Sequence, residues 1–253
     1  MALLLLGLVL VTYSNSFDGA FLADSGAIVV EDPRVRELNR DNLALIFQQQ
    51  YWYPRADSGV YRPLVTLSFL FNYAVLGNGS RPAGYHWVNL GLHAGNVLLV
   101  WLLAWTIWKE RTAAFFTAAI FAAHPVNVES VTNIAGRADL MAGLGVLAGL
   151  VLYTRLPDNA GWRRRLPWLV GMLLAALFGL FSKENAVVLP AAMLLYDLIF
   201  RLTRPSPWRV ALPGYLALAP ALLALWWARH WVFSKLLPFD QTFVDNPLGG
   251  AIS

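Results

Sequence analysis

Apolar runs close to twenty residues long recur down this chain, and they limit what it can fold into more than any other feature. A helix needs about 20 mostly apolar residues to cross a bilayer. Six such stretches follow Tyr85, at residues 87–108, 113–131, 140–156, 166–181, 186–202 and 208–227. A seventh, residues 2–13, is apolar but short. It has neither the basic lead-in nor the small-residue cleavage site of a signal peptide, so it reads as an anchor helix. The spacing predicts an all-α membrane protein, a multi-pass bundle of about seven transmembrane helices. Charge content agrees: 13% of the 253 residues are Asp, Glu, Lys or Arg, against roughly a quarter in a soluble domain. No low-complexity linker or repeat divides the chain, so residues 1–253 read as one membrane domain.

The basic residues predict the orientation. With seven spans, one set of short loops holds Lys109 and Arg111, then Arg155, Arg163, Arg164 and Arg165, then Arg201, Arg204 and Arg209, while the opposite short loops hold Arg137 and Lys183. Lys and Arg accumulate in short cytoplasmic loops, which places the first set in the cytoplasm. The long segment 14–86 and the stretch after Ala228 then face the other side. The arginines lie dispersed between apolar runs and form no basic stripe, which argues against nucleic acid as a partner. The chain has no cysteine, so it contains no disulfide and no thiolate metal site.

Ionisable groups near a bilayer are costly and mark function, and here they gather on the non-cytoplasmic side. The first loop carries Asp18, Asp24, Glu31, Asp32 and Tyr61-Arg62-Pro63, followed by the amphipathic stretch 64–76, which suits an interfacial helix. His86, Asn89, His93 and Asn96 fall within a sector of about 80° on one helix. His124-Pro125-Val126-Asn127-Val128-Glu129, Gly136-Arg137-Ala138-Asp139 and Ser182-Lys183-Glu184-Asn185 lie toward the same face.

Acids and bases at one membrane face suit chemistry on a lipid-linked phosphate: a cation holds the phosphate and a carboxylate activates a hydroxyl. Each feature also has a structural reading. Arg137 with Asp139, or Lys183 with Glu184, reads equally as a local ion pair. The His/Asn stripe reads more readily as interhelical hydrogen bonding. Asp24 reads as a cap for the segment near Ser25. Arg34, Arg36, Arg40, Arg55 and Arg81 read as solvated or headgroup-facing charges. His124 and Glu129, five residues apart, do not share a helix face, so no metal site is indicated, although the residues leave a divalent metal open.

Phe21-Leu22-Ala23-Asp24, Tyr61-Arg62-Pro63-Leu64, His86-Trp87-Val88-Asn89 with His93, His124 to Glu129, Gly136 to Leu140 and Ser182-Lys183-Glu184, taken in this order, resemble the transmembrane and tetratricopeptide-repeat-containing O-mannosyltransferases and their bacterial relatives. The likeness runs from the first loop to Asp245-Asn246-Pro247. It implies a GT-C type multi-pass glycosyltransferase with a large first outer loop and no cofactor. A polyprenyl-phosphate sugar is the implied donor, and a protein or other hydroxyl is the implied acceptor. By that resemblance Asp24 is the general base, with Glu129 the alternative carboxylate, because Ser25 stands where the family has a second acid. Arg62, Arg137 and Lys183 match basic positions for the donor phosphate, and His86, Asn89, His93, His124 and Asp139 are positions for orienting acceptor or sugar. The family continues into further membrane helices and a repeat domain, so the chain reads as a truncated member. The expected location is a bacterial inner membrane with a periplasmic active face, or the endoplasmic reticulum membrane in a eukaryote. A lipid-linked precursor transporter and a non-catalytic membrane scaffold are the competing readings.

Overall fold

A computed structural model describes residues 1–22, 24–55, 59–157, 161–201 and 208–236. Ala23, Arg204, the last residue of the 186–202 run and Asp245-Asn246-Pro247 lie outside the described residues. The ten α-helices described are α1 (Ala2–Thr12), α2 (Arg40–Gln48), α3 (Pro63–Leu70), α4 (Ala83–Trp108), α5 (Arg111–Ala123), α6 (Val128–Thr132), α7 (Arg137–Thr154), α8 (Trp162–Ser182), α9 (Leu189–Phe200) and α10 (Trp208–Leu236). Among the described residues there is no strand, and the chain is an all-α membrane protein.

Each of the seven apolar runs forms a helix, but four stretches are long and apolar enough to cross a membrane: Ala83–Trp108, Ile134–Thr154, Trp162–Ser182 and Ala211–Lys235. The count of seven spans is not reached by the others. α1, α5 and α9 have 11, 13 and 12 residues, or roughly 16–20 Å at 1.5 Å per residue, against a hydrocarbon core of about 30 Å. The run 113–131 is cut because Pro125 forces His124 into an extended conformation, with ψ 129°. At the opposite end of the bundle, α4 stops at Lys109, which turns left-handed at φ 57°. Glu110 then caps α5 by accepting from the backbone N–H groups of Thr112 and Ala113.

α7 lies at the centre, packed against α4 on one side and α8 on the other, with α1 beside α4 and α5, and α10 against α8. Close approach of α7 and α8 depends on two glycines. A Cβ on Gly145 would lie 2.7 Å from the Ala175 carbonyl oxygen and 2.7 Å from the Gly179 Cα, so the backbones touch as small residues allow in membrane helices.

The first loop is built as a cap with its own core. Ile28, Val29, Val35, Ile46, Tyr51, Val65, Phe69 and Leu70 pack onto Tyr85, Ile134, Ala138 and Met141 at one end of α4 and α7. The stretch 64–76, expected at the membrane interface, folds as α3 followed by a π-helical turn, Phe71–Val75. α3 buries Val65, Thr66, Phe69 and Leu70 inside this cap.

Arg34 departs from its expected surface role. It is 0% exposed and meets Asp32 with Nη2–Oδ2 at 2.7 Å and Nε–Oδ1 at 3.0 Å. It also donates to the carbonyls of Gln50 and Tyr51, each at 3.0 Å. A buried charge needs a partner and full hydrogen bonding; the Asp32 carboxylate two residues away supplies the first, and with the two carbonyls it completes the second. Arg36, Arg40, Arg55 and Arg81 are exposed.

Candidate functional site

The cap, α6 and the adjoining ends of α7 and α8 enclose a polar cavity of about 390 Å³. Its lining includes Asp24, Arg62, Glu129, Asp139 and Lys183, which come from five separate stretches of the chain. Asp24 sits on a helical turn that leads into the π-helical Gly26–Val30. Arg62 precedes Pro63, whose ring starts α3. Glu129 lies in the first turn of α6 and Asp139 in the first turn of α7. Lys183 follows the last residue of α8 in an extended conformation, φ −157° and ψ 137°.

Ion pairing divides these groups sharply. Arg62 meets Glu184 in a two-point contact, Nη2–Oε1 at 2.9 Å and Nε–Oε2 at 3.3 Å. Lys183 Nζ meets Asp139 Oδ1 at 2.6 Å. The local pairs read from the sequence, Arg137 with Asp139 and Lys183 with Glu184, are therefore replaced by pairs that cross between elements. Partial burial pushes the Glu184 carboxyl up, but its hydrogen bond and charge contact with Arg62 outweigh this and hold it below the ordinary carboxylate range. Asp24 and Glu129, in contrast, have no hydrogen-bond or ion-pair partner among the described residues. Asp24 caps nothing: at the start of Gly26–Val30 no side-chain cap is made, and the Ser25 hydroxyl is buried and donates to the Leu22 carbonyl at 2.6 Å. Among the described residues the cavity lining thus holds two unpaired carboxylates and two paired cations, with Asp139, the partner of Lys183, also on the lining.

Arg137 lies behind the wall. Its neighbours Gly136, Ala138 and Asp139 line the cavity, but its side chain is 0% exposed and its guanidinium faces the core. Nε donates to Asn89 Oδ1 at 2.8 Å, Nη2 to the Tyr85 carbonyl at 3.1 Å and Nη1 to the Ser68 carbonyl at 3.3 Å. The rings of Phe69 and Tyr85 flank it at 4.6 and 5.5 Å. Gly136 is needed for the tight approach of α6, since a Cβ there would lie 2.6 Å from the Ser130 carbonyl oxygen.

The polar stripe on α4 is buried and joins helices. His86 Nε2 bonds to the Gly19 carbonyl at 3.2 Å, and His93 Nε2 to the Ala122 carbonyl at 3.1 Å. Asn89 donates to Asn133 at 3.0 Å, and Asn96 to Leu140 at 3.0 Å. None of the four lines the cavity. His124 is exposed, and its Nδ1 accepts from the Val126 N–H at 3.1 Å, capping the turn Pro125–Asn127. Among the described residues no three His, Asp or Glu side chains are grouped to hold a metal.

Tyr51, Trp52, Ser130 and Asn133 also line the cavity, and none of them stood out in the sequence. Tyr51 is placed by the Arg34 clamp on its carbonyl, and the Arg62 guanidinium lies 5.4 Å over its ring. Burial pushes the Tyr51 hydroxyl above the ordinary phenol range, so it remains a neutral hydrogen-bonding group. Glu184 belonged to a recognised motif, but its pairing with Arg62 spans 122 positions and leaves no local signal.

The chain is 35% identical over 208 residues to protein O-mannosyl-transferase TMTC1 of Mus musculus, covering 78% of this chain and 22% of that protein. It is 33% identical over 264 aligned residues to protein O-mannosyl-transferase TMTC2 of the same species, covering 96% of this chain and 30% of that protein. Protein O-mannosyl-transferase Tmtc1 of Drosophila melanogaster is 34% identical over 184 residues, covering 71% and 20%. The chain belongs to the TMTC O-mannosyl-transferase family. It spans a fifth to just under a third of the length of these relatives. No family model matches the chain, and no solved structure matches it. The alignment with the TMTC2 protein takes in 96% of the chain, so the cap and the helices beneath it are a region that this TMTC protein shares.

Proposed function

We propose that the chain is the membrane-embedded transferase region of an inverting glycosyltransferase that moves a sugar, mannose by analogy with the named relatives, from a polyprenyl-phosphate donor to a protein Ser or Thr hydroxyl. The observation that supports this most directly is the division of charges in the cavity: Asp24 and Glu129 unpaired, Arg62 and Lys183 held in pairs that an incoming anion can exchange.

The proposed reaction assigns a place to each group. Arg62 and Lys183 take the donor phosphate, with Arg62 offering a planar two-point fork. Both pairs are half-buried, but their carboxylates are 41% and 44% exposed, so an incoming phosphate can displace Glu184 and Asp139 from the solvent side. Both released carboxylates lie in the first turn of a helical segment, where backbone N–H groups favour negative charge. Asp24 accepts the proton of the acceptor hydroxyl as its oxygen attacks the anomeric carbon from the side opposite the phosphate. The new carbon–oxygen bond forms, the bond to the phosphate oxygen breaks, and the electron pair leaves with the phosphate, neutralised by Arg62 and Lys183. Glu129, on the α6 side, is the alternative base. The exchange balances with no redox partner.

The cavity end of the bundle is proposed to face the non-cytoplasmic side, periplasmic in a bacterium, since Lys109, Arg111, Arg155, Arg163, Arg164 and Arg165 mark the opposite end. The test is incubation of the purified protein with radiolabelled polyprenyl-phosphate mannose and a Ser/Thr-containing peptide. Label on the peptide with stoichiometric release of the lipid phosphate is the expected result. Lipid movement across the vesicle without label on any acceptor would instead identify a transporter.

A further inference from the structure

We propose that Arg137 sets the charge preference of the cavity from behind its wall, without touching the ligand; this rests on the reading of the cavity as a lipid-phosphate site. The charges at the cavity do not favour an anion by themselves. Asp24 and Glu129 are unpaired carboxylates, and the cations Arg62 and Lys183 are each neutralised by a carboxylate, Glu184 and Asp139. An arriving phosphate therefore meets more negative than positive charge on the lining.

Arg137 is the missing counterweight. Three arginines are buried among the described residues: Arg34, Arg137 and Arg201. Arg34 is paired with Asp32 and Arg201 with Asp197, whereas every hydrogen bond recorded for Arg137 goes to a neutral acceptor, namely Asn89, the Ser68 carbonyl and hydroxyl, and the Tyr85 carbonyl. A buried cation normally has a carboxylate partner, and this one has aromatic rings and carbonyl dipoles in its place. Those dipoles hold the guanidinium but cancel no net charge. Gly136, Ala138 and Asp139 on either side of it line the cavity, so its uncompensated charge lies behind that lining. A charge shielded from water by the fold is screened far less than one on the surface. The lining groups can therefore keep carboxylates for chemistry while the cavity as a whole still accepts a phosphate.

The test supplies the missing counter-ion. Asn89→Asp keeps an oxygen 2.8 Å from Arg137 Nε but adds a negative charge, and Ser68→Asp does the same from α3 beside Nη1, without disturbing the Asn89 contact to Asn133. Binding is measured in detergent micelles for two probes of equal chain length, an isoprenyl phosphate and the uncharged isoprenol, after thermal unfolding has shown which variants are folded. The wild type is expected to prefer the phosphate. In both Asp variants that preference should fall about tenfold or more, with isoprenol affinity unchanged. A preference that survives in a folded Asp variant, or that falls only in parallel with isoprenol affinity, overturns the role of Arg137. Arg62→Ala separates the two levels: if it abolishes the preference while the Asp variants keep it, the phosphate site stands and this inference alone fails. A wild type that does not distinguish the two lipids removes both.

Discussion

Arg62 and Arg137, two arginines close to one cavity, show how much depends on the partner rather than on the residue. Arg62 is partly exposed, stacked over Tyr51 and paired with a carboxylate that solvent also reaches, so its charge is available for exchange. Arg137 is locked among carbonyls and rings and offers only its field. Replacing Arg62 by Ala should weaken binding of an isoprenyl phosphate by about 10- to 100-fold, the worth of one charge-assisted contact. Arg62→Lys should recover only part of this, since lysine keeps the charge but loses the planar fork. Equal affinities in a binding titration of all three proteins would remove Arg62 from the phosphate site. The sequence placed Asp24, Arg62, Glu129, Asp139 and Lys183 at one face because the first two lie in the long segment 14–86 and the other three near ends of apolar runs. It did not disclose who pairs with whom. Lys183 and Asp139 are 44 positions apart, and Arg62 and Glu184 are 122, distances over which composition and periodicity are silent. Arg34 was misread for the same reason, because its burial comes from the carbonyls of Gln50 and Tyr51, sixteen and seventeen positions away.

At the scale of elements, helices were legible from hydropathy and their lengths were not. The break after Ala123 was written in His124-Pro125, yet an apolar run that continues to Val131 conceals it. α9 starts at Leu189 because residues 184–188 form a 3-10 turn. The first loop was legible as amphipathic, but whether α3 meets lipid or protein depends on the residues of α4 and α7 that it covers. The α7–α8 contact is the element-level joint on which the site depends, since Asp139 stands at one end of α7 and Lys183 just past the neighbouring end of α8. Gly145→Val should force these helices apart, cost about 1–3 kcal/mol in stability and lower the midpoint of thermal unfolding in detergent. Gly161→Ala, at an open position where a Cβ meets nothing within 4 Å, is the control and should leave the midpoint in place. A Gly145→Val protein as stable as the control would show that the close approach of α7 and α8 is not needed.

For the whole molecule, the polarity of the bundle is its main property: a cap and cavity at one end, and the exposed Lys109, Arg111, Arg155, Arg163 and Arg164 at the other. If the basic end is cytoplasmic, a cysteine at Gly161 should react only with membrane-permeant thiol reagents, and one at Ser80, exposed on the cap, should react with impermeant ones in the same right-side-out cells. The absence of any native cysteine makes each label unambiguous. Reaction of the Gly161 site with the impermeant reagent would invert the orientation and separate the cavity from the proposed outer-face donor. The central claim is that the cavity transfers a sugar with a carboxylate as base, and Asp24→Asn tests it most directly, because Asn keeps the shape and loses the basicity. Single-turnover transfer of radiolabelled mannose from polyprenyl phosphate to a peptide, measured beside donor affinity and with Glu129→Gln as the parallel variant, should show Asp24→Asn slowed by about 10²- to 10⁴-fold with donor binding unchanged. Transfer at the wild-type rate in both Asp24→Asn and Glu129→Gln would contradict the account.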